Sequence, residues 1–246
     1  MAQNIYDDAI FFEGYSQFPR SREGLAGAPE WPSLRAMLPK VKGAHVLDLG
    51  CGFGAFCRWA VDQGAAGVVG VDLSSRMLES AQERGPGLAI RYEQADLELY
   101  APQGPFDVIY SSLAVHYLAD FDALCARVKA ALVPGGAFVF SMEHPIFAAR
   151  GNPEWLSDGE GYRVFALSDY AREGERVTDW VVEGIVKYHR KIASVVNALI
   201  KAGFVIDVMD EWSPTPADLE ANPGLADEIV RPMLLLMAAH VSPQKH

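Results

Sequence analysis

Val46-Leu47-Asp48-Leu49-Gly50-Cys51-Gly52-Phe53-Gly54 is an apolar run that stops in three alternating glycines, with residues able to open a helix next at Ala55-Phe56-Cys57-Arg58-Trp59-Ala60. The run predicts a buried strand, and the glycines predict a sharp turn whose backbone adopts φ values closed to other residues and approaches a ligand closely. The helix start behind the turn then offers free N–H groups. A second apolar run, Val68-Val69-Gly70-Val71, closes on Asp72. In a parallel sheet that position places a carboxylate over ribose hydroxyls, so the two features together predict a nucleotide-type cofactor site.

Outward from this stretch, strand-like and helix-like patterns alternate. Strands are expected near 44–49, 67–71, 88–92, 106–111 and 136–142, and helices near 55–63, 74–84 and 120–132. Ser74 reads as an N-cap, and Pro134-Gly135-Gly136 as a stop before the next strand. The alternation predicts an α/β fold with a parallel sheet and helices on both faces. Residues 144–188 break the rhythm with Pro145, Pro153 and the aromatics Trp155, Tyr162, Phe165, Tyr170 and Trp180, a composition that suits an inserted cover better than a linker. A helix then carries Ile192, Val195, Val196, Leu199 and Ile200 on one face and ends at Gly203. Apolar runs at 204–208 and 233–239 flank a polar excursion and are expected to pair antiparallel at one sheet edge. The expected organisation is one domain over 1–246: N-terminal cap helices in 1–40, a cofactor-binding core in 41–143, an active-site cover in 144–190, and the C-terminal part of the sheet in 191–246.

The charge balance, 21 basic against 32 acidic residues for a net −11, argues against nucleic acid as a partner, because no window gathers the cations that a phosphate backbone needs. The stretch from Met1 to Asp8 lacks the basic and apolar regions of a signal peptide, and no apolar run reaches the roughly 20 residues of a membrane span. A cytoplasmic protein without a membrane partner is expected. Cys51, Cys57 and Cys125 are odd in number and lack CxxC spacing, so neither a disulfide framework nor a zinc site is indicated, and without a carboxylate cluster after the fourth strand no metal is expected.

VLDLGCGFG at 46–54, GVDLSSRML at 70–78, Gln94-Ala95-Asp96-Leu97-Glu98, and the pair FDVIYSS at 106–112 with LVPGG at 132–136 resemble the class I S-adenosylmethionine-dependent methyltransferases, in particular the bacterial small-molecule group called methyltransferase type 11. The resemblance implies a Rossmann-like seven-stranded sheet, order 3-2-1-4-5-7-6 with the last strand antiparallel. It also implies S-adenosylmethionine as cofactor, S-adenosylhomocysteine as product, and transfer to an oxygen, nitrogen or carbon nucleophile of a small molecule. By the same resemblance the glycine turn with Gly50, Cys51 and Gly52 holds the methionine portion while Asp48 organises the loop, Asp72 takes the ribose hydroxyls, Asp96 meets the adenine amine between Ala95 and Leu97, and Ser111 also belongs to the cofactor site. Leu73 and Met77 line the adenine side, and Tyr15 and Arg20 reach the methionine end from an N-terminal helix. Two other functions compete: a nicotinamide-dependent oxidoreductase, disfavoured because the glycines read G-x-G-x-G and position 55 is Ala, and a binding protein that keeps the pocket without turnover.

Because the methyl group is already activated in such a cofactor, the protein's tasks are alignment, exclusion of water and, for a protonated acceptor, a base. Histidine suits that last task at neutral pH. His116 follows the fourth strand, His144 the fifth, and His189 lies in Lys187-Tyr188-His189-Arg190-Lys191, expected to start the helix after the insertion. These three are the catalytic candidates. His45, His240 and His246 are expected to be structural or disordered, and the oligomeric state is left open.

Overall fold

The computed structural model describes residues 3–243; Met1, Ala2 and residues 244–246, His246 among them, lie outside the described residues. The chain opens with α1 (Ala9–Ser16), α2 (Pro19–Arg22) and α3 (Trp31–Met37), which lead into β1 (His45–Leu49). Then come α4 (Ala55–Asp62), β2 (Gly67–Asp72), α5 (Ser75–Arg84), β3 (Ile90–Gln94), β4 (Phe106–Ser112), α6 (Phe121–Ala131) and β5 (Leu132–Glu143). After α7 (Pro145–Ala148) two hairpins form, β6 (Trp155–Ser157) with β7 (Arg163–Phe165) and β8 (Gly174–Trp180) with β9 (Val182–His189). The main sheet resumes through α8 (Ile192–Ala202), β10 (Phe204–Glu211), the short α9 (Pro216–Ala221) and α10 (Asp227–Val230), and β11 (Leu234–Val241).

The seven-stranded sheet runs β10-β11-β5-β4-β1-β2-β3, the order expected from the sequence, and β11 lies antiparallel to both of its neighbours while the pairs from β5 to β3 are parallel. Strand periodicity explains how it is buried. Val46 packs into the core beneath α3 and α4, whereas Leu47 and Leu49 enter the core on the opposite face with α6 and α8. In β11, Leu234, Leu236 and Ala238 take the first face and Leu235, Met237 and Ala239 the second. Asp48 shares the phase of Val46, which puts a carboxylate inside the α4 layer with 2% of its surface exposed.

Two boundaries differ from the pattern read above. Pro134-Gly135-Gly136 does not precede β5 but lies within it: Phe106 pairs with Leu132 and Val108 already with Ala137, so the segment is looped out as a bulge, with Gly135 at φ 84°. Lys187 to His189 do not start a helix. They continue β9, where burial alternates along the strand and pairing with β8 outweighs the helical spacing that follows, and α8 begins only at Ile192, after Lys191. Among the described residues, no helix is long and apolar enough to cross a membrane.

Phe140 is fully buried in the centre of β5, with Phe138 stacked at 4.7 Å and Phe121 at 5.7 Å. Phe140→Ala is expected to lower the free energy of unfolding by about 3–5 kcal/mol, read from urea denaturation.

Candidate functional site

The carboxyl ends of β1, β2 and β4 open into a cleft. Its floor is the glycine turn, where the N–H groups of Gly50 and Cys51 donate to the Val71 carbonyl at 2.8 and 2.9 Å, drawing the end of β1 onto β2. Gly50 has φ 75°, and a Cβ there would stand 2.3 Å from the Cβ of Ala114. Gly52 has φ 49° and its missing Cβ points into open space, with nothing within 4 Å. One glycine is required by a close approach within the protein; the other leaves the backbone bare toward the cleft.

Asp72 organises this floor. Its carboxylate accepts from Gly52 N–H at 2.8 Å on one oxygen and from Ser74 N–H at 2.9 Å on the other. Burial pushes its pKa up, and the two amides oppose that shift. Asp48 is pushed further, to about 7, by burial, and accepts a weak bond from the Cys57 thiol at 3.4 Å.

An N-terminal arm forms the roof. Gln3, Tyr6, Tyr15 and Arg20 all line the cleft. Arg20 donates twice to Glu30, at 2.9 and 3.1 Å, and Glu30 is completely buried. Asp7 accepts from the Ser74 hydroxyl at 2.5 Å and from Arg76 N–H at 3.2 Å, so the arm caps the N-terminus of α5. The Gln3 side chain binds the second hairpin at Gly184 O and Val186 N–H, both at 3.0 Å.

Of the residues expected at a cofactor, Tyr15, Arg20, Asp48, Gly50, Cys51, Gly52, Asp72, Leu73, Met77, Asp96 and Leu97 all lie on this one cleft. Asp96 accepts from Glu98 N–H at 3.0 Å. Two lie off it. Ala95 packs against the α6 core, and the Ser111 hydroxyl is buried, donating to Leu49 O at 2.7 Å across β4 and β1. The next residue, Ser112, lines the cleft instead, because successive strand residues face opposite sides.

The three histidines are held by protein groups away from the cleft lining. His116 is buried, its Nδ1 accepting from Glu143 N–H at 3.3 Å, and burial lowers its pKa to about 4. His144 caps α7: Nδ1 accepts from Ile146 N–H at 3.1 Å, which leaves the proton on Nε2 to donate to Glu211 at 2.8 Å. His189 meets the Tyr170 carbonyl at 2.9 Å, and burial lowers its pKa. Tyr6, Glu30 and Tyr117 line the cleft although the sequence reading passed over them. Tyr117 had one readable signal, its place beside His116 after β4.

Residues 46–136 match the family described as "Methyltransferase domain". The crystal structure of an S-adenosylmethionine dependent methyltransferase from Mesorhizobium loti is 51% identical, with a TM-score of 0.84 over 88% of this chain and 100% of that one. An uncharacterized protein of Haemophilus influenzae is 34% identical across 90% of this chain and 94% of its own. Trans-aconitate 2-methyltransferase of Paracidovorax citrulli is 39% identical over 113 residues, 44% of this chain and 42% of that protein.

The His116 environment makes stability depend on pH with a definite sign. The ring's pKa falls from 6.5 to about 4 on folding, so its contribution is present above pH 6.5 and is lost as the pH drops through that interval. Asp48, raised from 3.8 to about 7, acts oppositely, its burial becoming more costly as the pH rises through that range. In urea unfolding across pH, His116→Gln is expected to gain on the parent between pH 6.5 and about 4. Parallel curves would mean the ring is not held neutral.

Proposed function

The chain belongs to the S-adenosylmethionine-dependent methyltransferases, and we propose that it passes the methyl group to a small-molecule acceptor bound beneath the N-terminal arm. The observation that carries this reading is the roof. Gln3, Tyr6, Tyr15 and Arg20 close over the same floor that Gly52 and Asp72 form, which suits a compact acceptor better than a polymer. The partial likeness to trans-aconitate 2-methyltransferase, a protein named for a small organic acid, supports the same class of acceptor.

The lining fits the cofactor. Gly52 leaves bare backbone, Asp72 and Asp96 supply acceptors for hydroxyl and amine groups, and Leu73, Met77 and Leu97 supply apolar walls. In this reading Asp72 takes the ribose hydroxyls with lone pairs not used by Gly52 and Ser74. Asp96 takes the adenine amine, and Arg20 faces the methionine carboxylate while Glu30 fixes its guanidinium. Asp48 steadies the turn from below. When bound, S-adenosylmethionine supplies a sulfonium-activated methyl group; the protein aligns the acceptor and keeps water out. Residues 144–190 act as part of the same domain, with Trp180 stacked on Phe18 at 5.6 Å where the second hairpin meets the arm.

Isothermal titration with S-adenosylhomocysteine tests the reading, with NADH and NADPH in parallel. A dissociation constant of about micromolar or tighter for S-adenosylhomocysteine alone is expected. Asp72→Ala is expected to weaken that binding by about 1.5–3 kcal/mol; unchanged affinity would mean that the ribose lies elsewhere.

A further inference from the structure

Tyr6 and Tyr117 come from opposite sides of the cleft, one from the short turn at Ile5–Asp7 and one from the turn at Val115–Tyr117 after β4. Both line it, and their hydroxyl oxygens stand 3.2 Å apart. Among the described residues neither hydroxyl has another hydrogen-bond partner. Two protons and one mutual bond leave one O–H to spare. Burial holds both phenols above their ordinary pKa, so the pair offers a hydrogen bond and does not accept a proton.

The groups that face the pair are each engaged. Tyr15 meets Tyr6 edge-on at 5.1 Å. Asp72 of β2 is bound to the amides of Gly52 and Ser74. Glu143 of β5 and Lys187 of β9 form a buried ion pair at 2.5 Å, with Lys187 lying 5.8 Å from the Tyr117 ring. His116, 4.5 Å from that ring, turns Nδ1 to the Glu143 amide. This end of the cleft therefore presents a donor, while the ionisable groups around it already hold protein partners.

We infer that the acceptor, within the transfer proposed above on which this rests, is a small carboxylate: an oxygen nucleophile that arrives deprotonated and is held by the O–H that the Tyr6–Tyr117 pair has to spare. Carboxylic acids ionise near pH 4, whereas phenols and amines, with pKa values of about 10, need a base to expose a lone pair at neutral pH. A lone pair of the carboxylate oxygen forms the O–CH₃ bond while the S–CH₃ bond breaks and leaves its pair on sulfur. The negative and positive charges cancel, giving a methyl ester and a neutral thioether, and no proton enters or leaves.

The experiment incubates the full chain with methyl-labelled S-adenosylmethionine and a small-molecule extract of bacterial cells, then treats the products with mild alkali. Esters release the label as methanol, which is the expected result; label that survives alkali, as in an ether or an N- or C-methyl group, overturns the inference and leaves the methyltransferase reading intact. No transfer despite S-adenosylhomocysteine binding in the titration overturns the inference together with turnover, and loss of that binding overturns the cofactor assignment itself. Tyr6→Phe and Tyr117→Phe each keep one hydroxyl, so each is expected to lower ester formation by about 3- to 10-fold, less than loss of both. The double variant is expected to fall about 10- to 100-fold in ester formation, with S-adenosylhomocysteine affinity kept within about threefold. A single variant as impaired as the double would mean that the pair only supports the fold.

Discussion

The carboxylate of Asp72 joins three pieces of chain at the mouth of the cleft: the end of β2 that carries it, the glycine turn after β1 through Gly52 N–H, and the start of α5 through Ser74 N–H. Each bond is part-buried, and as a bond to a carboxylate it is stronger than a neutral pair and costly to leave unmade. The turn can remain bare of side chains because this carboxylate holds it from one side while the Val71 carbonyl holds Gly50 and Cys51 from below. The open backbone at Gly52 is thus supported by a rigid frame, and the cleft takes its shape from that frame.

The sheet was legible because its signals are local. Apolar runs of strand length, glycines where the chain must turn and caps such as Ser74 each act within a few residues, and the parallel order follows once they alternate. The Pro134–Gly136 bulge is not legible in the sequence because proline and glycine break a strand by pulling residues out of register as readily as by ending it, and only the partner strand decides which. The strand at Lys187 to His189 is hidden for a related reason: its pairing partner, β8, lies in the least regular part of the sequence.

The site divides along the same line. Asp48, Asp72 and the glycines are placed by the strands that carry them, so reading the strands locates them. Glu30 and Tyr6 reach the cleft through folding of the arm over the sheet, a non-local event with no periodic trace. The histidines show the limit of residue type as a guide. An imidazole beyond a strand end suits proton transfer, but it equally suits capping, and His144 spends one nitrogen on Ile146 and the other on Glu211.

The arm is fastened to several different elements, Asp7 to the start of α5, Gln3 to the second hairpin and Tyr6 to Tyr117 among them, and it supplies part of the wall against which anything in the cleft rests. By thermodynamic linkage, docking of the arm and filling of the cleft are coupled equilibria: whatever binds there tightens the arm by the same factor by which a docked arm tightens binding. Amide exchange and proteolytic nicking along residues 3–31 therefore report occupancy of the cleft from a distance, without any need to observe the ligand.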